Sequence, residues 1–216
     1  MSQTPAQVAP ISPNPTIEHV VLFKLKPDVD QSKVDTLLKG LRNLTSIDGV
    51  VHLTAGRVHC LASDSSLDFD IFFHGRYSSK EVLDNFMAHP THLKLVNELT
   101  DPLSEDFMIV NWVAYHDEPL VNPPPGSAIR VTFLKLKKDQ KLGGTAKEEV
   151  GNHLSESADE ATFGENYSSD AKGFSFASLA VFGSVEELEA ATDEDIAKHE
   201  KLKDLEDYLI VDHIVE

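Results

Sequence analysis

The sequence predicts an α+β fold in which two ferredoxin-like domains, each with the element order β-α-β-β-α-β, pack sheet against sheet as a closed or nearly closed barrel. Three observations predict this class. The chain contains an internal repeat, the first copy shows strand and helix patterns in that order, and its first strand is apolar on both faces. The 216 residues suffice for two domains of about 100 residues, each able to bury a core.

The internal repeat is clearest where IEHVVLFKLKPD, residues 17–28, aligns with AIRVTFLKLKKD, residues 128–139. Near the end of each copy, DFMIVNWV at 106–113 matches DYLIVDHI at 207–214. Between the copies, DEPLVNPPPG favours an extended spacer because of its consecutive prolines. We therefore predict a disordered tail over residues 1–15, a first domain over 16–116, a Pro-rich linker over 117–127 and a second, more divergent domain over 128–216.

Apolar periodicity predicts the elements of the first copy in turn. Its first strand, residues 17–25, carries Val21 and Phe23 on the face of His19, and Val20 and Leu22 on the other face. The elements that follow are a helix over 30–44, strands at 50–58 and 68–77, a helix capped by Ser78 or Ser79, and a last strand at 107–115. Because the face opposite the helices also needs cover, we expect the second copy's sheet to supply it, giving a monomeric pseudo-dimer.

Composition excludes several classes of function. The net charge of −17 repels phosphate backbones and anionic lipids, so we expect neither nucleic acid nor membrane as a partner. One cysteine, Cys60, cannot form an internal disulfide, and residues 1–15 lack the apolar core of a signal peptide, so we expect a cytoplasmic protein. The sequence contains no phosphate-binding glycine loop, dinucleotide fingerprint or calcium loop, and we predict no cofactor and no metal.

Two histidines three residues apart, in HPTH at 89–92, form the clearest chemical pattern. Imidazoles spaced in this way can bind a metal, but no third ligand lies nearby. Pro90 favours a new helix beginning at that residue, which makes His89 part of a turn and leaves His92 facing either a pocket or solvent. His19 is either a hydrogen-bonded core residue or a pocket wall. The predicted pocket residues are Val21, Phe23, Phe69, Ile71, Phe73, Phe86, His89 and Trp112.

The residues IEHVVLFKLKPD, the Gly49-Val50 pair, SSKEVL at 78–83 and above all HPTH resemble the stress-response A/B barrel family, whose members are dimeric α/β barrels. The resemblance covers residues 17–115 and, more weakly, 128–215, and the tandem arrangement is similar to that of two-domain plant members. It implies an intramolecular version of the dimeric barrel.

One plant enzyme of this family closes a linear polyketide by aldol condensation, using histidines and a tyrosine. Its strand-one histidine corresponds to His19 and its second HPxH histidine to His92, whereas its tyrosine falls on Phe86 and its third-strand histidine on Ile71. In the second copy, Arg130 stands at the His19 position.

Two hypotheses of function follow. In the first, the protein is non-enzymatic, or of unassigned activity, and binds a small apolar ligand in the first domain. In the alternative, His19 and His92 are catalytic residues, one as the base and one as the donor, of a lyase or isomerase similar to a polyketide cyclase and acting on a polyketide-like substrate.

Overall fold

The computed structural model describes residues 15–63, 67–114, 120, 122–137, 158, 160–191 and 205–216. The first sheet is antiparallel, with strand order β2-β4-β1-β5. Its strands are β1 (Thr16–Leu25), β2 (Val50–Arg57), β4 (Ile71–Tyr77) and β5 (Ser104–Ala114). The second sheet, also antiparallel, has the order β3-β9-β6-β8-β7. Its strands are β3 (Cys60–Ser63), β6 (Ala128–Leu136), β7 (Glu160–Glu165), β8 (Phe176–Phe182) and β9 (Leu205–Ile214).

The described helices belong mainly to the first half of the chain. They are α1 (Gln31–Asn43), followed by a 3₁₀ turn (Leu44–Ser46), then α2 (Lys80–Ala88) and α3 (Pro90–Leu95), which continues through a π-helical turn (Val96–Thr100) into α4 (Asp101–Leu103). Residues 185–191 are also helical. With β3 set aside and the strands numbered within each half, both sheets have the same strand order, which is that of a ferredoxin-like sheet. The predicted α+β class with two ferredoxin-like sheets is therefore confirmed.

Helix α1 shows how local sequence sets the element. Asp30 caps it by accepting a hydrogen bond from the Ser32 backbone N–H at 2.7 Å. Val34, Leu37 and Leu41 recur at helical spacing and are buried against the first sheet, in the cluster that also holds Ile17, Val21 and Phe23 of β1. The predicted helix over 30–44 therefore differs from the observed one only at its ends.

The opposite face of the first sheet packs on the second sheet, as the two-faced pattern of β1 predicts. Val20 and Leu22 of β1 share one apolar cluster with residues of both sheets. That cluster also includes Met108, Val110 and Trp112 of β5, Ile129, Val131 and Phe133 of β6, Leu179 of β8 and Val211 of β9. This burial removes a large apolar area from water and holds the two halves together.

A charged group crosses the same interface. Glu18, fully buried on β1, contacts His74 Nε2 at 2.6 Å and Arg76 Nε at 2.8 Å, and accepts a weaker hydrogen bond from Thr162 Oγ1 of β7 at 3.4 Å. Arg76 also contacts Glu160 of β7 at 3.3 Å. Burial by itself would raise the pKa of Glu18, but Arg76 and His74 lower it to about 2.

Both edges of the first sheet meet the second half. At β5, the Ile109 N–H donates to Asp170 O at 3.0 Å. At β2, Thr54 Oγ1 lies 3.1 Å from His213 Nε2, and just after this strand the His59 N–H donates to Asp212 O at 2.8 Å. The two sheets therefore close into a barrel around their shared core.

One strand was missed by the sequence prediction. β3, only four residues long, follows β2 in the first half but pairs antiparallel with β9 of the second sheet, and Ser63 Oγ donates to Tyr208 O at 3.0 Å. CLAS is short and its first three residues are all apolar, so it lacks the alternating pattern from which half-buried strands are predicted, and none of its residues is fully buried.

Some predicted features lie outside the described residues. These are nearly all of the tail, residues 117–119 and 121 of the linker, and residues 192–204 of the second copy. The domain boundaries remain predictions. Within the described ranges, no helix has the length and apolar character needed to cross a membrane.

Candidate ligand-binding cavity beside His19

A cavity of about 250 Å³ lies on the helix side of the first sheet, where β1 and β5 face the segment from α3 through the π-helical turn. Its wall is mainly apolar: Val21, Phe23, Leu41, Leu44, Phe73, Met87, Leu93, Leu95, Val96, Phe107 and Ile109. Four polar residues, His19, His92, Thr100 and Asp101, complete it. An apolar cavity with a few convergent polar groups is typical of small-molecule sites.

His19 is held by a residue 92 positions away. It pairs directly with Asn111 in the β1–β5 register, and His19 Nδ1 lies 2.6 Å from Asn111 Oδ1. Asn111 directs its backbone N–H and C=O away from β1, toward Asn166 and Tyr167, so this is a non-hydrogen-bonded pair, in which the side chains approach most closely.

This contact sets the chemistry of the His19 ring. A carboxamide oxygen can only accept, so Nδ1 carries the proton and Nε2 keeps its lone pair. Burial lowers the pKa of His19 to about 4, against an opposing effect of the Asn111 hydrogen bond. His19 is therefore a neutral hydrogen-bond acceptor at neutral pH.

His92 reaches the cavity because a helix restarts at Pro90. Pro90 occupies the first turn of α3, and His89 caps that helix by accepting from the Thr91 N–H at 3.2 Å, as the sequence predicts for a turn residue. His92 Nδ1 lies 3.0 Å from the Met87 carbonyl oxygen, so it donates there and leaves Nε2 unprotonated. Burial lowers the pKa of His92 as well.

A tyrosine that the sequence analysis did not single out lies against His19. The Tyr77 ring, fully buried at the end of β4, makes edge contacts with His19 at 6.2 Å and lies 5.0 Å from the Phe86 ring, centroid to centroid. Its hydroxyl has no hydrogen-bond partner among the described residues, and burial raises its pKa. The side chain leans over Gly75, where a Cβ atom would come within 2.6 Å of the hydroxyl oxygen.

The structure brings together only part of the predicted pocket. Val21, Phe23 and Phe73 line the cavity with His19 and His92. Phe69 and Trp112 instead belong to the cluster between the sheets, Trp112 because it alternates with Asn111 along β5 and so faces the opposite side. Ile71 and Phe86 are buried in the apolar layer around the cavity without lining it, and His89 lies at the helix junction.

In the second half, an ion pair stands where the first half has the His19–Asn111 pair. Arg130 of β6 is buried, and its Nε and Nη2 atoms each lie 2.8 Å from a carboxylate oxygen of Asp212. The Arg130 guanidinium lies 6.0 Å from the Phe182 ring. By strand position these residues correspond to His19, Asn111 and Tyr77, so the described part of the second half has no imidazole at this point.

Across the part of the chain that the structure describes, no group of three or more His, Cys, Asp or Glu side chains could hold a metal ion. His89 Nδ1 and His92 Nδ1 are each engaged with backbone groups. Fold and cavity together define a barrel of two ferredoxin-like sheets with a small, mainly apolar cavity on one of them.

Comparison with known proteins identifies the family. The profile of the stress responsive A/B barrel domain matches residues 17–114. The chain is 37% identical over 198 residues to stress-response A/B barrel domain-containing protein DABB1 of Arabidopsis thaliana, covering 90% of this chain and 94% of that protein. It is 40% identical over 181 residues to a second Arabidopsis thaliana protein that also carries the description stress-response A/B barrel domain-containing, covering 81% of this chain and 67% of that protein.

A crystal structure of a protein from Fusobacterium nucleatum has the same fold, with a TM-score of 0.63 at 11% identity and coverage of 94% of each chain. The chain belongs to the stress-response A/B barrel domain family, and the resemblance inferred from HPTH is confirmed.

Proposed function

We propose that the cavity beside His19 binds a small, mainly apolar molecule that carries one hydrogen-bond donor. The observation that supports this most directly is the neutral imidazole of His19, whose Nδ1 is occupied by Asn111 while the ring lines an otherwise apolar wall. An acceptor lone pair in apolar surroundings favours a hydroxyl over an anion or a cation.

The cavity limits the size of this ligand. A cavity of roughly 150 Å³ holds benzene, so the 250 Å³ beside His19 corresponds to about ten non-hydrogen atoms. A phenol with a short alkyl chain matches both the volume and the single polar contact. Leu93 and Phe107, 47% and 46% exposed, line the cavity at the protein surface and supply its entrance.

Isothermal titration calorimetry with a matched pair of probes tests this function. We expect 4-propylphenol to bind more tightly than propylbenzene by roughly threefold to tenfold, the range for one hydrogen bond. In a His19→Phe variant this preference is expected to disappear while the propylbenzene affinity stays similar. Absence of binding by both probes to the wild-type protein would rule out the proposal.

A second candidate function is proton transfer without a cofactor, as in the polyketide cyclization implied by the family resemblance. The observation that favours it is that His19 and His92 both line the cavity as neutral imidazoles with Nδ1 engaged, so each can act as a base through Nε2. The buried, protonated Tyr77 hydroxyl lies in the same layer as a hydrogen-bond donor.

Deuterium exchange tests this chemistry independently of ring closure. A small β-diketone in D₂O is expected to exchange its acidic C–H hydrogens faster with the wild-type protein than with a His19→Ala, His92→Ala double variant. Equal rates for the two proteins would exclude proton transfer by these residues.

We further propose that the protein is a monomer and resides in the cytoplasm. The sheet face through which single-domain relatives would pair is occupied here by the chain's own second sheet. Sedimentation equilibrium is expected to give the mass of one 23.8 kDa chain, and a stable dimer would contradict this.

A further inference from the structure

The loop between β7 and β8, residues 166–175, lies along the outer edge of β5 at the residue that holds His19. Asn166 Oδ1 accepts from the Asn111 backbone N–H at 3.1 Å, and the Tyr167 N–H donates to Asn111 O at 3.0 Å. The second half of the chain therefore contacts Asn111 through both of its backbone polar groups.

Asn166 itself is fully engaged. Besides the Asn111 N–H, its Oδ1 accepts from the Ser168 N–H at 2.8 Å. Its Nδ2 donates to Ser168 O at 3.0 Å and Phe174 O at 3.2 Å. A carboxamide offers two donors and an oxygen with two lone pairs, so all of them are used and the group has one favoured orientation.

Close backbone approach brings the loop to this position. A Cβ atom on Gly164, two residues before Asn166, would lie 2.7 Å from the Val113 carbonyl oxygen and 2.9 Å from Trp112 Cδ1. Only a residue without a side chain lets β7 lie this near β5. Within the loop, Lys172 Nζ contacts the Asp106 carboxylate of β5 at 2.6 Å and adds a second attachment.

We propose that Asn166 is a positioning residue for the cavity in the first half: by fixing the Asn111 backbone at the edge of β5, it aims the Asn111 carboxamide at His19 and keeps the imidazole in its Nδ1–H form. This inference rests on the proposed function insofar as it concerns ligand binding. It assigns the second half a role in the site even though Arg130 and Asp212 stand where that half would have its own His-Asn pair.

The physical reason lies in the position of Asn111 at a sheet edge. An edge strand leaves alternate N–H and C=O groups unpaired within its own sheet, and such groups hydrate and fluctuate unless another segment covers them. The His19–Asn111 bond requires the carboxamide to present oxygen rather than nitrogen. Backbone fluctuation at Asn111 would weaken that preference.

Selective ¹⁵N labelling of histidine tests the proposal, because the two ring-nitrogen shifts report the tautomer directly. At pH 7 we expect His19, assigned by its absence in a His19→Gln variant, to be in the Nδ1–H form in the wild-type protein. In Asn166→Ala the ratio of Nδ1–H to Nε2–H is expected to fall by roughly threefold to tenfold, the range for one lost hydrogen bond.

Three further variants sharpen the result. Asn166→Asp keeps the oxygen that accepts from the Asn111 N–H, and is expected to restore the Nδ1–H form although it loses both amide donors. Ser169→Ala, in the same loop and exposed, is the matched control and is expected to change nothing. If Asn166→Ala does not fold, Asn166→Gln retains the carboxamide but displaces it by one methylene, and the same shift of tautomer is expected.

The two proposals fail in different ways. A folded Asn166→Ala or Asn166→Gln protein with the wild-type tautomer would overturn the positioning role, whether or not 4-propylphenol binds. A changed tautomer in a protein that binds neither probe would support the positioning role and reject the ligand proposal. If both hold, the preference for 4-propylphenol over propylbenzene is expected to fall roughly threefold to tenfold in Asn166→Ala.

Discussion

At the scale of single residues, the cavity depends on how the two ring nitrogens of each histidine are used. In both His19 and His92 an oxygen atom occupies Nδ1, and burial holds the pKa below its ordinary value. The same residue type therefore changes from a group that titrates near neutral pH into a neutral acceptor. His89, three residues from His92, keeps a purely structural contact with the Thr91 N–H.

The lowered pKa of His19 predicts how ligand binding depends on pH. Because the pKa of His19 is about 4, its acceptor lone pair remains available well below the value of 6.5 at which an exposed histidine becomes protonated. We expect the affinity for 4-propylphenol to change less than about twofold between pH 7 and pH 5, by calorimetry. A fall of about 25-fold over this range, as expected for a pKa of 6.5, would show that the acceptor titrates normally.

At the scale of elements, the break between α2 and α3 is what brings His92 to the cavity. The chain leaves α2 at Ala88, turns at His89 and restarts with Pro90, whose missing N–H costs nothing in a first helical turn. The π-helical turn that follows places Val96 and Thr100 in the cavity wall. Gly40 of α1 lets this segment approach, since a Cβ atom there would lie 2.4 Å from Leu95 Cδ1.

The two histidines of HPTH are therefore expected to differ in their effects. His89→Ala removes a helix cap and should lower the free energy of unfolding by about 1 kcal/mol, with ligand affinity unchanged. His89→Ser retains a capping oxygen and is the matched control. Urea unfolding and calorimetry measure the two quantities, and a large loss of affinity in His89→Ala would place this residue in the site after all.

At the scale of the whole molecule, the two halves share one apolar core, and they contact each other at both edges of the first sheet. The apolar cluster between the sheets, the group around Glu18 and the contact of β7 with β5 all join residues far apart in sequence. Unfolding either half would expose the apolar face that it shares with the other. We expect the protein to unfold in one cooperative transition.

Gly164 provides a test of the contact between β7 and β5. In Gly164→Ala the added methyl group meets the Val113 carbonyl oxygen, which belongs to the backbone and cannot move aside easily. We expect a loss of about 1–3 kcal/mol in the free energy of unfolding, still in one transition. Urea unfolding followed by circular dichroism measures this, with Ser169→Ala as the control. An unchanged midpoint would show that β7 is free to shift along β5.

Acid is expected to destabilise the whole molecule well above the pH at which its carboxylates titrate. Burial lowers the pKa of His19 and His213 to about 4 and that of His52 to about 3, from 6.5 in the unfolded chain. Between pH 6.5 and pH 4 the unfolded chain therefore binds more protons, and stability falls as pH falls. Below about 4.5, protonation of Glu18 in the unfolded chain continues the loss toward its folded pKa of about 2.

The measurement is the urea midpoint at pH 7, 6 and 5. The free energy of unfolding obtained from these midpoints is expected to decrease steadily, by roughly 2 kcal/mol at pH 5 for each histidine whose folded pKa is about 4. His19→Gln removes one titrating group and should reduce the slope. A midpoint that does not change between pH 7 and pH 5 would contradict the assignment of these histidines as buried and neutral.

Local pattern was enough to predict the elements around the site. The alternation in β1 separated Val21 from Val20 and so predicted both the helix side and the sheet-to-sheet side. Proline is tolerated in the first turn of a helix, and this rule predicted that a new helix begins at Pro90. In both cases the deciding interactions lie within a few residues of one another, and for that reason the sequence shows them.

The sequence by itself determined the order of strands and helices in the first half apart from β3, the similarity between the two halves, and the presence of His19 and His92 on elements of the first half. Only the tertiary structure decided that Asn111 is the partner of His19, that the tyrosine ring beside His19 comes from Tyr77 rather than from position 86, and that Asn166 contacts Asn111 from the second half. The physical reason is register. Which residues face one another across strands depends on the packing of the whole barrel, and a shift of one residue would turn every side chain of a strand to the other face.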